Sequence, residues 1–404
     1  YDNYVLAGGP ADRTLYVPEA AKSTYQSTTP WKSYRIMGYD YTNNTITPPA
    51  NNEIWYTTTD GKAIGIYSDD YFDQTIVSNT YQNGLGVITF SGDLTVIKHN
   101  AFTGHQIKTL YIPASVTTLP CFNYDGSSGD NEAAFNSSYL EEVHIAGTPK
   151  LTGNPFALCE HIKKFSGPLA TADGRALVQG TTLYSYAFGS PEAEFTIPST
   201  VKTIGIAAFY HASGGSSGVE HNIQKINIPA SVTTIKFDAF YDCRVNVNIA
   251  SLESWCKITF GNIYANPIYT GGKPVSVNGS QISTLTIPTT ITSINKWAFA
   301  GVNVDTIEIT DNVTTIADNA FDWNKAKTIT IGKKVSSIGV CAFRDTDSYN
   351  TTKLYVKATT PPNIESNTFS GYTNTIYVPS SKLSTYKSSY NWRDYSSQLQ
   401  GYTF

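Results

Sequence analysis

The sequence holds 404 residues, 40% hydrophobic and 15% charged, with 28 Tyr, 30 Gly and 19 Pro, a balance that excludes a disordered chain and a coiled coil and favours short strands joined by turns. Lysine and arginine total 28 against 32 acidic residues, giving a net charge of -4 with basic pairs only at Lys163-Lys164 and Lys333-Lys334, which argues against a nucleic-acid stripe. No apolar run approaches the roughly 20 residues of a bilayer-crossing helix.

Near the N terminus, Leu15-Tyr16-Val17-Pro18 reads as a strand, and its Pro is followed at offsets of 7, 13 and 16 by Tyr25, Trp31 and Tyr34. Residues 41–53, with Pro48-Pro49 and several Asn and Thr, are expected to be a linker. Beyond them the chain repeats. Six segments align on a turn position occupied by Pro113, Pro198, Pro229, Pro288, Thr310 and Gly332. Three residues earlier stand Leu110, Phe195, Ile226, Leu285, Ile307 and Ile329, and one residue earlier six isoleucines, from Ile112 to Ile331. This is the period-two pattern of a short strand with one buried face.

Aliphatic residues recur three and six positions after the turn, from Val116 and Leu119 to Val335 and Ile338. An aromatic stands eleven positions after it: Tyr124, Phe209, Phe240, Phe299, Phe321 and Phe343. The last three aromatics are 22 residues apart, within the span of leucine-rich repeats. Less regular copies end at Phe102, Phe135, Phe156 and Phe369. The expected fold is therefore a β-rich solenoid with a minor α component, of about ten coils, in which each coil buries its apolar face only by stacking on its neighbours. Two Gly/Ser-rich insertions, at 125–131 and 212–222, read as surface loops.

At the C terminus Ile376-Tyr377-Val378-Pro379 repeats the N-terminal pattern, with Tyr386, Trp392 and Tyr395 at the same offsets of 7, 13 and 16. Equal offsets imply one small unit used twice. The second copy reads as a strand, an N-capping Ser380 or Ser381 and an amphipathic helix around Leu383, Tyr386, Tyr390 and Leu399 that covers the open end of the array. The first copy is expected to follow an upstream repeat array, the alternative being that it covers the first coil. The expected organisation is a cap-like segment with linker over 1–50, the repeat array over 51–375, and a capping strand and helix over 376–404.

The stretch Ile228-Pro229-Ala230-Ser231-Val232-Thr233-Thr234-Ile235, followed by Ala239-Phe240, resembles the BspA-like leucine-rich repeat family, whose signature is IPxSVTxIGxxAFxxC. The likeness covers residues 88 to 380, and the segment with Trp255-Cys256 and Ala265-Asn266-Pro267 is similar to a variant coil of that family. The glycine after the plus-six position is kept only at Gly205 and Gly339, being Lys236, Asn295 and Ala317 elsewhere. The resemblance implies a right-handed leucine-rich-repeat superhelix in a secreted or surface-attached bacterial protein, with gut and oral Bacteroidetes nearest. It also implies an adhesin-like role.

Motifs for chemistry are sparse. Gly214-Gly215-Ser216-Ser217-Gly218 matches GxSxG, yet it sits in a Gly/Ser insertion where a nucleophile elbow needs a strand leading into a helix. The six histidines lack metal spacing, and the acidic groups Asp125, Asp130, Glu132 and Asp69, Asp70, Asp73 lack the EF-hand spacing. No carboxylate pair can be assigned to glycoside hydrolysis. We expect no enzyme, no cofactor and no metal. The five cysteines, with no CxxC, are expected to act mainly as small buried hydrophobes.

If the residues one and three before the turn face the core, those two and four before it form exposed columns. The first column runs Tyr111, Thr196, Asn227, Thr286, Glu308 and Thr330, continued by His144, Tyr355 and Tyr377. The second includes Thr109, Glu194, Lys225 and Thr284. Thr and Tyr also favour strands without any ligand, but Tyr111 at one end and Tyr355 with Tyr377 at the other offer rigid contact area. Tyr111, His144, Asn227, Glu308, Tyr355 and Tyr377 are thus the expected binding residues. The partner expected is a host extracellular protein or glycan bound by a monomer, and the alternative function is a spacer that holds another domain away from the cell.

Overall fold

The computed structural model describes residues 13–42, 45–66, 68–122, 135–136, 139–210, 222–344 and 352–404. The 125–131 loop and the GxSxG stretch lie outside these, as do Tyr124, Glu132, His211 and His221. Two compact units divide the chain. One holds the described residues up to 122 with those of 135–179 and 185–190; the other holds those of 180–184 and from 191 onward.

The first unit opens with β1 (Thr14–Pro18), the short helix α1 (Lys22–Ser27) and β2 (Arg35–Asp40), and β1 and β2 pair in parallel with Leu15 opposite Ile36. Inside the stretch expected as a linker, β3 (Thr45–Ile46) returns antiparallel to β2. The main sheet uses β4 (Glu53–Thr58), β5 (Ile76–Gln82), β6 (Leu85–Phe90), β7 (Ile107–Ile112), β8 (Glu142–Ile145) and β9 (Lys164–Ser166), ordered β5-β6-β4-β7-β8-β9. Asn83 and Gly84, with φ of 51° and 75°, join β5 to β6. Both central residues of a two-residue hairpin turn need positive φ, and Asn-Gly meets that at least cost. Pairing is antiparallel as far as β7 and parallel from β7 to β9. Residues 53–90 therefore lead into the repeat as an antiparallel ribbon.

The second unit is built from parallel ladders that advance one repeat at a time. Leu285 lies opposite Ile307, Ile307 opposite Ile329, and Ile329 opposite Leu354. A shorter ladder pairs Ile294 with Ile316, Ile338 and Ile364 in turn. Every aliphatic residue of the four aligned columns in the six copies is buried, as a β-branched strand with one apolar face requires.

The aromatic column stacks flat: Phe299, Phe321, Phe343 and Phe369 follow at centroid distances of 5.4, 5.2 and 5.8 Å with interplanar angles of 14°, 2° and 16°. Phe209 and Phe240 stack likewise at 4.8 Å, and within the first unit so do Phe102, Phe135 and Phe156. The turn that delivers each ring is left-handed two residues before it, at Asn100, Ala207, Asp238, Trp297, Asn319 and Cys341. Gly205 and Gly339 are absent from the positive-φ residues and instead allow close backbone approach. Loss of that glycine in other copies therefore leaves the left-handed turn unchanged.

In the variant coil, Leu252–Cys256 is one helical turn capped by the Ser251 side chain, and buried Trp255 donates Nε1–H to the Ala298 carbonyl at 2.7 Å. The C-terminal helix differs from expectation: it spans Leu383–Ser388 without a serine side-chain cap, and Asn391, at φ 62°, turns the chain away. Leu399 then opens a strand, Leu399–Tyr402, parallel to Ile376–Pro379, and Tyr390 is 76% exposed.

Candidate functional site

In the second unit, Tyr355 and Tyr377 are cross-strand neighbours in adjacent parallel strands and stack at 4.7 Å and 14°. Tyr402 meets both rings edge-on, at 5.1 and 5.7 Å, and Phe404 continues the group 5.1 Å from Tyr402. Tyr402 and Phe404 remain 42% and 49% exposed. Sequence reasoning placed Leu399 on a helix and so missed these two rings; the repeated Gly-Tyr of Gly38-Tyr39 and Gly401-Tyr402 was the available signal. Burial, then the neighbouring Tyr377 and Tyr402, raises the Tyr355 phenol above its ordinary range, so it stays a protonated donor.

Asn227 and Glu308 sit on the same kind of column but are engaged along the ladder. Asn227 donates to Glu194 Oε1 at 2.6 Å and Thr196 Oγ1 at 2.9 Å, and accepts from Asn248. Glu308 accepts from Thr286 at 3.0 Å.

Tyr111 requires a correction. It is not an exposed column residue but is 6% exposed, packed with Met37 and Trp55. The reason lies in distant chain: β2 supplies Met37, and β4 pairs antiparallel with β7, setting Trp55 directly opposite Tyr111. Lys22 of α1 lies 4.6 Å over the Trp55 ring, a cation–π contact that holds the cap-like segment down.

This packing leaves a cleft of about 690 Å³ within the first unit. One wall is Tyr16, Tyr39 and Tyr41, with centroids 5.5 Å apart for the first pair and 4.9 Å for the second. Tyr111 and His144, stacked at 4.3 Å and 6°, also line it. β9 contributes Lys164 and Ser166, followed by Gly167. Gly167 has φ 105°, and a Cβ there would run into the Ile145 carbonyl oxygen, so only glycine fits.

Polar groups in the cleft are ordered by strand register. His144 lies opposite Ser166 and Glu142 opposite Lys164. The Ser166 hydroxyl contacts His144 Nδ1, while His144 Nε2 is buried and 3.5 Å from Glu142 Oε2. At that distance no well-formed hydrogen bond satisfies Nε2. His144 first, against burial, and then Lys164 and Lys108 hold the Glu142 carboxyl below its usual range. Burial raises the phenols of Tyr16 and Tyr111, which stay protonated. The Ser-His-Glu line superficially resembles a hydrolytic triad, but 3.5 Å is beyond the hydrogen-bond reach by which a carboxylate fixes the base. We read it as a polar lining.

The two strand-helix-strand segments place aromatics at matching positions. Pro18 lies opposite Tyr39 and Pro379 opposite Tyr402. Tyr16, Tyr39 and Tyr41 therefore correspond to Tyr377, Tyr402 and Phe404.

Among the described residues no group of three or more His, Cys, Asp or Glu side chains could hold a metal ion, and no helix is long and apolar enough to cross a membrane. Asp73 uses its carboxylate to accept from the Thr95 and Val96 amides at 3.1 and 3.0 Å.

Short parallel ladders, few helices and a recurring aromatic column define a strand-rich repeat protein. The family model for the BspA type leucine rich repeat region matches in six copies over residues 72–129, 181–266 and 276–394. The chain belongs to that family. Among solved structures it is similar to a leucine-rich repeat protein from Bacteroides ovatus, at 17% identity over 81% of this chain and 90% of that one, with a TM-score of 0.34. A leucine rich cell surface protein from Faecalibacterium prausnitzii is 23% identical over 50% of this chain and 57% of its own, TM-score 0.30. The pneumococcal vaccine antigen PcpA is 16% identical over 72% and 65%, TM-score 0.29. The chain thus spans less than two thirds of the lengths of these last two proteins. Comparison with curated proteins found no match.

Proposed function

We propose that this chain is a non-catalytic interaction module, adhesin-like, on the outer surface of a bacterium or secreted from it. In this reading about ten coils wind as a right-handed solenoid, capped by 376–404, and a monomer binds a host extracellular protein or glycan through its strand face. The observation that carries the reading is the partly exposed aromatic group of half-buried Tyr355 and Tyr377 with exposed Tyr402 and Phe404. Clustered, partly exposed tyrosines give large contact area at small entropic cost and recur at binding hot spots. Asn227 and Glu308 of the second unit and, in the first unit, His144 are further polar candidates in this reading.

The test is a binding screen of the chain against immobilised host matrix proteins and a glycan array, with Tyr355→Ala/Tyr377→Ala alongside. A saturable partner lost at least tenfold in the variant, with thermal unfolding unchanged, supports the reading. Silence on both panels refutes it in favour of a spacer that presents another domain.

A further inference from the structure

The cleft of the first unit is separate from the aromatic group just invoked, and its lining has a definite chemistry. Three tyrosines form one wall: Tyr16 and Tyr41 are 44% and 63% exposed, and Tyr41 anchors itself by donating its hydroxyl to the Tyr16 carbonyl at 2.9 Å. The lining also presents the flat Tyr111–His144 pair. Tyrosine faces carry negative π density, which attracts weakly positive C–H groups presented by a flat apolar ring face. Around these rings stand neutral donors and acceptors: phenols held protonated, the Ser166 hydroxyl, and Thr45. Charges of both signs stand near this edge, Glu142 lying cross-strand from Lys164 and Arg35 acting on the Tyr16 and Tyr111 phenols, so charged control ligands decide whether either sign is selected. Nε2 of His144 is closed off beside Glu142, so the polar groups that the lining offers a ligand are the Ser166 hydroxyl and the phenols. A volume near 690 Å³ lies inside the range of small-ligand sites.

We infer that this cleft binds a short neutral oligosaccharide, a pyranose face stacking on Tyr16, Tyr39 and Tyr41 while ring hydroxyls reach Ser166 beside the His144 ring. A pyranose combines one apolar C–H face with an uncharged hydroxyl rim, which is the chemistry that the aromatic lining and its hydroxyls together suit. Tyr377, Tyr402 and Phe404 repeat the aromatic wall, but the second unit sets Tyr355 flat on Tyr377 where the first unit leaves a cleft. The inference rests on the reading of the chain as a binding module and names the ligand class and a site of its own.

The experiment titrates the full chain by calorimetry with neutral cello-, malto-, xylo- and manno-oligosaccharides of three to five rings and with lacto-N-tetraose. Charged controls are sialylated lacto-N-tetraose and a heparin tetrasaccharide. At least one neutral probe is expected to bind saturably, Tyr16→Ala and Tyr41→Ala each weakening it at least tenfold. Both side chains are largely exposed, so folding is retained, and circular dichroism checks this. His144→Gln, which removes the ring stacked on Tyr111, is expected to weaken binding several-fold, and Tyr390→Ala, at a 76% exposed residue of the second unit, to leave it unchanged. The inference is overturned if no neutral probe binds, if a charged control binds more tightly, or if binding survives Tyr16→Ala and Tyr41→Ala. Should a host protein bind through Tyr355 and Tyr377 while every sugar fails, the sugar site falls and the interaction module stands. If nothing binds, both fall.

Discussion

Phe321 is the most informative single residue for the energetics of the repeat. It is fully buried and lies between Phe299 at 5.4 Å and Phe343 at 5.2 Å, nearly parallel to both. Aromatic pairs add about 0.5–1.5 kcal/mol beyond area burial. Phe321→Leu keeps most of the apolar volume but removes two stacks, so it should cost about 1–3 kcal/mol, whereas Phe321→Ala adds a cavity and should cost about 3–5 kcal/mol. Because stability in a repeat array is a sum of coil and nearest-neighbour terms, the loss should appear first in the adjacent coils. Native-state hydrogen exchange of amides between residues 299 and 343, supported by urea unfolding, reads it directly. A double-mutant cycle with Phe299→Leu should return a coupling of about 0.5–1.5 kcal/mol. A Leu penalty below about 0.5 kcal/mol, or zero coupling, would show that the column is filler rather than an interface that joins coils.

Three further outcomes follow from the same structure. The Asp322 carboxylate, with no exposed side-chain surface, receives a bidentate grip from Arg344 at 2.8 and 2.6 Å across one repeat, so Arg344→Ala should cost about 3–5 kcal/mol by leaving a buried charge unpaired; a loss under 1 kcal/mol in urea unfolding would contradict this. Asp311, held below its usual range first by the Lys333 amide, and Asp318, held low first by Lys296, have folded pKa values under their unfolded ones. Their stabilisation is therefore complete above about pH 4 and lost as pH falls through the depressed values. Melting temperature should drop below pH 4, and less steeply in Asp311→Asn/Asp318→Asn; a profile flat to pH 2.5 would count against it. Cys121, Cys159, Cys243 and Cys256 are buried, with burial pushing the Cys256 thiol up to about 12, whereas Cys341 is half-buried. A thiol reagent should modify about one cysteine in the folded chain and five in urea, and rapid labelling of two or more in the folded chain would refute the packing.

Much of this molecule was legible in one dimension. The period-two isoleucines, the paired aliphatics beyond each turn and the 22-residue aromatic spacing place the core residues, because burial of one strand face is decided by local alternation. The twin offsets of 7, 13 and 16 likewise revealed that one small segment occurs twice. Three features were not legible. The antiparallel ribbon of 53–90 depends on β4 pairing with both β6 and β7, a choice between strands that alternation does not encode. The left-handed positions fall on Ala207, Trp297 and Cys341 as well as on Asn and Asp, so residue type gave little warning. Tyr402 and Phe404 join the aromatic group only because the chain returns as a strand after Asn391.

The sharpest contrast is Tyr111. Its column position says that the side chain leaves the core of its own coil, and that holds; what it meets there is set by Met37 and Trp55, far away in the chain. Periodicity thus determined which face of each strand is apolar, how often the coil recurs and which segment is duplicated, since each follows from nearest-neighbour spacing along the backbone. Tertiary structure alone decided that Tyr111 is covered and that Tyr16, Tyr39 and Tyr41 line one cleft with His144. Which outward side chains remain in water depends on contacts between segments that local spacing does not specify.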